Sequence, residues 1–126
     1  MRLDVWSMSA RLPKHLFDAH AAATLAVRFC GTLDLATYSA DVLIRSAVER
    51  QLEILGVAAR RVLDESPTLR ERLPALGLAV GLRNRIIHGY DRVENAVVLD
   101  TVQRDLPPLI VELAQVLAAF PVPRGS

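Results

Sequence analysis

The sequence predicts an all-α protein, an antiparallel up-and-down bundle of four main helices that works as a dimer. Three observations carry this. The chain is 52% hydrophobic but only 5% aromatic, with Ala and Leu frequent, a balance that favours helices over sheets. Apolar residues recur at helical steps, as in Val48, Leu52, Leu55, Ala59 and Val62, and few alternating runs compete. At 126 residues the chain makes one domain, residues 1–120, small enough for pairing to help bury its apolar surface.

Met1 to Leu12 shows no clear period, and Met8 offers an alternative start, so this segment reads as a loose arm. Pro13 then opens a first helix over Lys14 to Phe29. Its small-residue face is Leu16, Ala19, Ala23, Ala26 and Val27, and Gly31 marks its end. Gly31 to Tyr38 reads as a connection. Ser39 or Asp41 can cap a long second helix running to about Glu65, whose seam steps by four and three. Arg45, Glu49, Arg50, Glu53, Arg60 and Arg61 form its solvated flanks. Glu49 and Glu53 repel at this spacing unless a base such as Arg83 or Arg85 lies near.

Ser66-Pro67 breaks that helix, and Thr68 to Leu73 makes a turn or short helical segment. The third helix starts at Pro74 and buries Ala75, Leu76, Leu78, Ala79, Leu82, Ile86 and Ile87, and Gly89 ends it with a left-handed cap. Gly77 and Gly81, one turn apart, permit close helix approach, either across a dimer or against the second helix. Asp91 to Asn95 is a polar loop. A last helix spans Ala96 to Phe120, bent at Pro107-Pro108, with Leu106, Leu109, Ile110, Leu113, Val116 and Leu117 inward. Residues 121–126 form a tail, of which Val122 to Ser126 reads as an expression-tag remnant.

The net charge of +1 excludes a nucleic-acid coating protein, so any attraction to RNA must come from a local cluster such as Arg83, Arg85 and Arg92. Lys14 is the sole lysine among the fifteen basic side chains. The single Cys30 cannot form an intrachain disulfide and suits a reducing cytoplasm, where its plain reading is a small buried hydrophobe. Neither a membrane span nor a signal peptide is legible. His15 and His20 stand five apart and do not share a helix face, which argues against a metal site. No cofactor motif appears.

The densest chemistry is Arg83-Asn84-Arg85-Ile86-Ile87-His88-Gly89-Tyr90. An arginine presents a planar fork of donors suited to phosphate oxygens, and a histidine can move a proton near neutrality. Together they describe phosphodiester chemistry. Five residues of helix turn Arg83 and His88 roughly 140° apart, whereas Asn84 shares a face with His88 and can orient its imidazole. A site using both Arg83 and His88 is easiest to build where two copies meet. The plainer reading of Arg and His in a last helical turn is that they complement the helix dipole.

This stretch resembles the R-x4-H-x-Y signature of the HepT toxins, small α-helical ribonucleases of the HEPN superfamily. Arg83, His88 and Tyr90 fall on the three signature positions, and Asn84 matches the Asn that commonly follows the Arg. Ala47 to Gly56, ending in Ile54-Leu55-Gly56, is similar to the family's second helix, and Asp105-Leu106-Pro107 to the start of its last. The likeness covers Ser39 to Phe120, with the first helix matching in pattern. Val57 departs from it, standing where many relatives carry an acidic residue that Glu53, one turn earlier, can replace, and Leu82 is aliphatic where that position or its neighbourhood is often aromatic.

The resemblance implies a type VII toxin, a metal-independent endoribonuclease acting as a homodimer. Arg83 would hold the scissile phosphate and His88 would transfer protons. The implied partner is a minimal nucleotidyltransferase antitoxin that silences the toxin by moving AMP onto Tyr90. A phosphate added there would fill the anion site with fixed negative charge. Arg85 and Arg92 are candidate contacts to RNA or to that partner. The alternative is a catalytically quiet HEPN-like module that dimerises and holds a nucleotidyltransferase or a nucleotide.

Overall fold

The computed structural model describes residues 2–88 and 94–120, with side chains from Arg11 onward. Every regular element among the described residues is helical. Helix α1 (Arg2–Cys30) begins well before the predicted Lys14, so the loose arm is corrected and Pro13 lies inside the helix. The turn before the proline has its own anchors. Leu12 packs against the core, and Arg11 Nε donates to Glu65 Oε1 at 3.0 Å. These contacts offset the backbone donor that Pro13 withholds.

The inner face of α1 is Leu16, Ala19, Ala22, Ala23, Ala26 and Cys30, all buried. Gly31 ends the helix in the left-handed region, at φ +52°, where a side chain would be strained. There its N–H reaches back to the Val27 carbonyl at 2.9 Å.

The predicted connection contains a short helix instead, α2 (Leu35–Ala40). Asp34 caps it, accepting the Thr37 N–H at 2.8 Å, and Tyr38 is fully buried under it. Asp41, and not Ser39, caps α3 (Val42–Glu65), accepting the Ile44 N–H at 2.9 Å. The α3 seam of Val48, Leu52, Leu55, Ala59 and Val62 is buried along its length. Ser66 closes α3, and α4 (Leu69–Arg72) leads into α5 (Pro74–His88), with Pro74 in the first turn.

The last stretch runs as α6 (Asn95–Asp100), a π-helical turn (Thr101–Asp105) and α7 (Leu106–Ala118). The irregularity therefore precedes Pro107-Pro108. Leu106 donates five residues back, to the Thr101 carbonyl, and the prolines then occupy the first turn of α7, where missing donors cost least. Gln103 ties this turn to the end of α1, its Nε2 donating to the Gly31 and Leu33 carbonyls at 3.2 and 2.9 Å. Leu106, Leu109, Leu113 and Val116 are buried, while Ile110 and Leu117 pack at the core's margin.

Helix α3 packs against α1 on one side and α5 on the other, and α7 packs against α1. That order leaves α5, the carrier of the candidate chemistry, with α3 as its main neighbour and an open outer side. Among the described residues no helix is long and apolar enough to cross a membrane.

Candidate functional site

Helix α5 buries Leu76, Ala79 and Leu82 against the core. Leu78 and Ile87, predicted on the same buried side, are instead 57% and 45% exposed. A helix at the edge can bury only one stripe, and the apolar residues of α5 spread wider than that. Gly81 has no heavy atom within 4 Å of where a Cβ would stand, and Gly77 meets only Arg70 Nη1, at 3.4 Å. Packing of these glycines against α3 is therefore excluded.

The glycine at the close approach is Gly56 on α3. A Cβ there would run into Arg83, within 2.6 Å of its Cδ and 2.8 Å of its Cγ, and against its Cβ as well. The missing side chain lets the Arg83 stem lie on the α3 backbone. Arg83 is half-buried, its Nε shut from solvent with no hydrogen-bond partner among the described residues. A buried donor left without an acceptor is costly, of the order of 1–3 kcal/mol.

Arg83 opens into a groove of about 350 Å³ between α1, α3 and α5. Ile54, Val57 and Ala58 of α3 and Ala22 and Leu25 of α1 make it apolar, and Ile87 closes the α5 side. Asp18, Arg50, Glu53 and Arg61 bring charge to it. Glu53 finds its base within its own helix, Oε1 lying 3.9 Å from Arg50 Nη1, rather than in the predicted Arg83 or Arg85. Val57, directly after Gly56, gives the groove an apolar side chain at this point. Among the described residues no carboxylate forms an ion pair with Arg83.

His88 is the last residue of α5 and is exposed. It is not among the residues lining the groove, in keeping with the divergence that a five-residue separation imposes. Asn84 is half-buried one turn before it, and Arg85 is exposed. Leu78, Gly81, Arg85 and His88 succeed one another at three- and four-residue steps along the outer side of α5. Gly89, Tyr90 and Arg92 lie outside the described residues.

Arg83 thus turns a guanidinium, a group able to bind an anion, to an open groove, and His88 stands at the adjacent helix end. The companions of Arg83 are not evident from residue types alone. Arg50, Ile54, Val57 and Arg61 are spaced by four, three and four along α3, and that spacing is the signal for them. Among the described residues no three His, Cys, Asp or Glu side chains gather at one point.

The model of the family described as Ribonuclease HepT-like matches residues 19–116. A Methanocaldococcus jannaschii protein, RNase MJ1380, is 31% identical over 100 residues, 78% of this chain and 89% of its own. A Thermococcus cleftensis protein named as ribonuclease HepT is 30% identical over 95 residues, 75% of this chain and 86% of its own. Both names mark the activity as inferred. No solved structure matches the chain at a significant level.

Proposed function

Because the chain belongs to the HepT-like ribonuclease family, we propose that it is a metal-independent endoribonuclease, the toxin of a toxin–antitoxin pair, with Arg83 and His88 as its catalytic residues. The observation that carries this is Arg83, whose stem crosses α3 at Gly56 and whose side chain lines an open groove with no ion-pair partner among the described residues. Its guanidinium suits a phosphate oxygen.

His88 takes the proton from the ribose 2′-hydroxyl, whose oxygen then bonds to phosphorus as the bond to the 5′-oxygen breaks. The leaving oxygen takes a proton from the imidazolium of the second copy, and the products are a 2′,3′-cyclic phosphate and a 5′-hydroxyl. Arg83 stabilises the negative charge that builds on the non-bridging oxygens. Two copies are needed because Arg83 and His88 diverge on one helix, so the Arg83 of one copy works with the His88 of the other. Asn84 orients the imidazole, and Arg85 and Arg92 contact RNA or the antitoxin. That antitoxin, a minimal nucleotidyltransferase, transfers AMP to Tyr90. The protein works in the cytoplasm and needs no cofactor.

One observation favours a second reading. With Val57 in the groove and no carboxylate paired with Arg83 among the described residues, the arginine lacks an acidic group to orient it. A quiet module that binds a nucleotidyltransferase or nucleotide would tolerate this. The two readings separate on RNA cleavage in chelator by protein whose intact mass shows no added AMP. Cleavage of end-labelled transfer RNA, reduced about 10²–10⁴-fold in His88→Ala, supports the nuclease. Intact RNA with folded, dimeric, unmodified protein moves the assignment to the binding module.

A further inference from the structure

Two arginines of α3 share the groove with Arg83 and have no part in the chemistry above. Arg50 and Arg61 are eleven residues apart, so at about 100° and 1.5 Å per residue they return to within roughly 20° of one another, about 16 Å apart along the helix. Ile54 and Val57 lie between them on the same stripe. The stem of Arg83 enters across Gly56, near the middle of that span. Along α3 the attachment points of Arg50 and Arg61 therefore stand on either side of the Arg83 crossing, each roughly 8 Å of helix rise from it. Apolar side chains fill the spaces between them.

Arg50 and Arg61 are exposed, and Arg83 lines the groove between them half-buried. Among the described residues Arg61, like Arg83, is in no ion pair. Arg50 reaches Glu53 only at 3.9 Å, with its own side chain 68% exposed, and an exposed pair of that kind contributes little. The other carboxylate in the groove, Asp18, is held at 3.2 Å by Lys14. Three guanidiniums thus stand against two carboxylates in a protein whose net charge is only +1. Attraction for a polyanion is concentrated here.

We infer that this groove is an extended subsite for single-stranded RNA, in which Arg50 and Arg61 bind the phosphates on either side of the one at Arg83. The inference rests on the nuclease reading for the role of Arg83. Cations at intervals along a narrow track, with apolar surface between them, suit a backbone whose unpaired bases rest on the wall. At about 350 Å³ the groove seats the nucleotide at Arg83, with the flanking phosphates at the exposed Arg50 and Arg61 on its rim, and it is too small for a duplex.

The test uses the intact protein and a fluorescein-labelled 2′-O-methyl RNA decamer, which lacks the attacking hydroxyl and cannot be cut. Anisotropy titrations across a salt series compare the wild type with Arg50→Gln, Arg61→Gln and Arg104→Gln. Arg104 is exposed on the π-helical turn and paired with Asp100, away from the groove. Arg61→Gln is expected to weaken binding about tenfold at low salt, and to lessen the slope of log affinity against log salt by about 0.7, the value for one lost contact to a single strand.

Arg50→Gln should act in the same direction and Arg104→Gln should match the wild type. With cleavable RNA, Arg61→Gln should raise KM and leave kcat within about twofold. Wild-type affinity and salt slope in folded Arg50→Gln and Arg61→Gln, with cleavage still dependent on His88, would overturn the inference and leave the nuclease standing. Arg61-dependent binding without any cleavage would keep the subsite and remove the nuclease.

Discussion

Replacing Gly56 with alanine tests the contact on which the site is built. The new methyl would stand 2.6 Å from Arg83 Cδ and 2.8 Å from Cγ, and against Arg83 Cβ, which cannot swing away without moving α5. Overpacking of this kind costs about 1–3 kcal/mol. Against it stands the gain of about 1 kcal/mol for Ala over Gly inside a helix. The net is a loss of up to about 2 kcal/mol, or a Tm lowered by up to about 8 °C at roughly 4 °C per kcal/mol.

Gly81→Ala is the same chemical change on α5, with no atom within 4 Å to oppose it. At concentrations that keep the chain monomeric, it should gain about 1 kcal/mol. The two variants thus differ in sign. Thermal unfolding by circular dichroism gives the stabilities, and RNA cleavage in chelator gives the functional effect. A displacement of Arg83 by about 1 Å would lower cleavage on the order of 10²-fold. If Gly56→Ala is as stabilised as Gly81→Ala and cuts RNA like the wild type, Arg83 does not cross α3 at Gly56.

Two further predictions concern parts remote from the chemistry. Gln103→Ala removes both hydrogen bonds to the Gly31 and Leu33 carbonyls. It should lower stability by about 1–2 kcal/mol in denaturant titrations and leave RNA cleavage unchanged. Burial pushes the Cys30 thiol from 9.0 up to about 11. Between those pH values the unfolded chain gives up a proton that the folded one keeps, so stability declines as pH rises through that window. Tyr38, raised from 10.0 mainly by burial, extends the decline to higher pH. Cys30→Ala should flatten the fall in Tm between pH 9 and 11, and an unchanged slope would contradict the account.

Elements with a long period were legible in advance. The steps of α3 marked its buried seam, Pro74 marked the start of α5, and Gly31 the end of α1. Helix α2 was not legible, because its six residues are too few to show a period and its sole buried side chain is Tyr38. The extension of α1 past Pro13 was hidden for another reason. It depends on Arg11 meeting Glu65, fifty-four positions away.

The site divides in the same way. Residue types draw the eye to Arg83 and His88 but also fit a plain dipole-complementing helix end, so the family resemblance is what proposes them as a site, and helix geometry alone says that the two diverge. The stripe of Arg50, Ile54, Val57 and Arg61 is written in the sequence too, yet it reads equally well as a solvated flank. A helical period says which residues share a face and nothing of what that face meets.

The amino-acid sequence by itself determined the helical class, the long helices and which polar side chains stand at the end of α5, since each follows from interactions within a few residues. Tertiary structure alone decided that Arg83 lies on Gly56 and faces Arg50 and Arg61 across a groove, and that Leu78 and Ile87 stay exposed. Those outcomes depend on how α5 seats on α3, a contact between segments about thirty residues apart that no local pattern specifies.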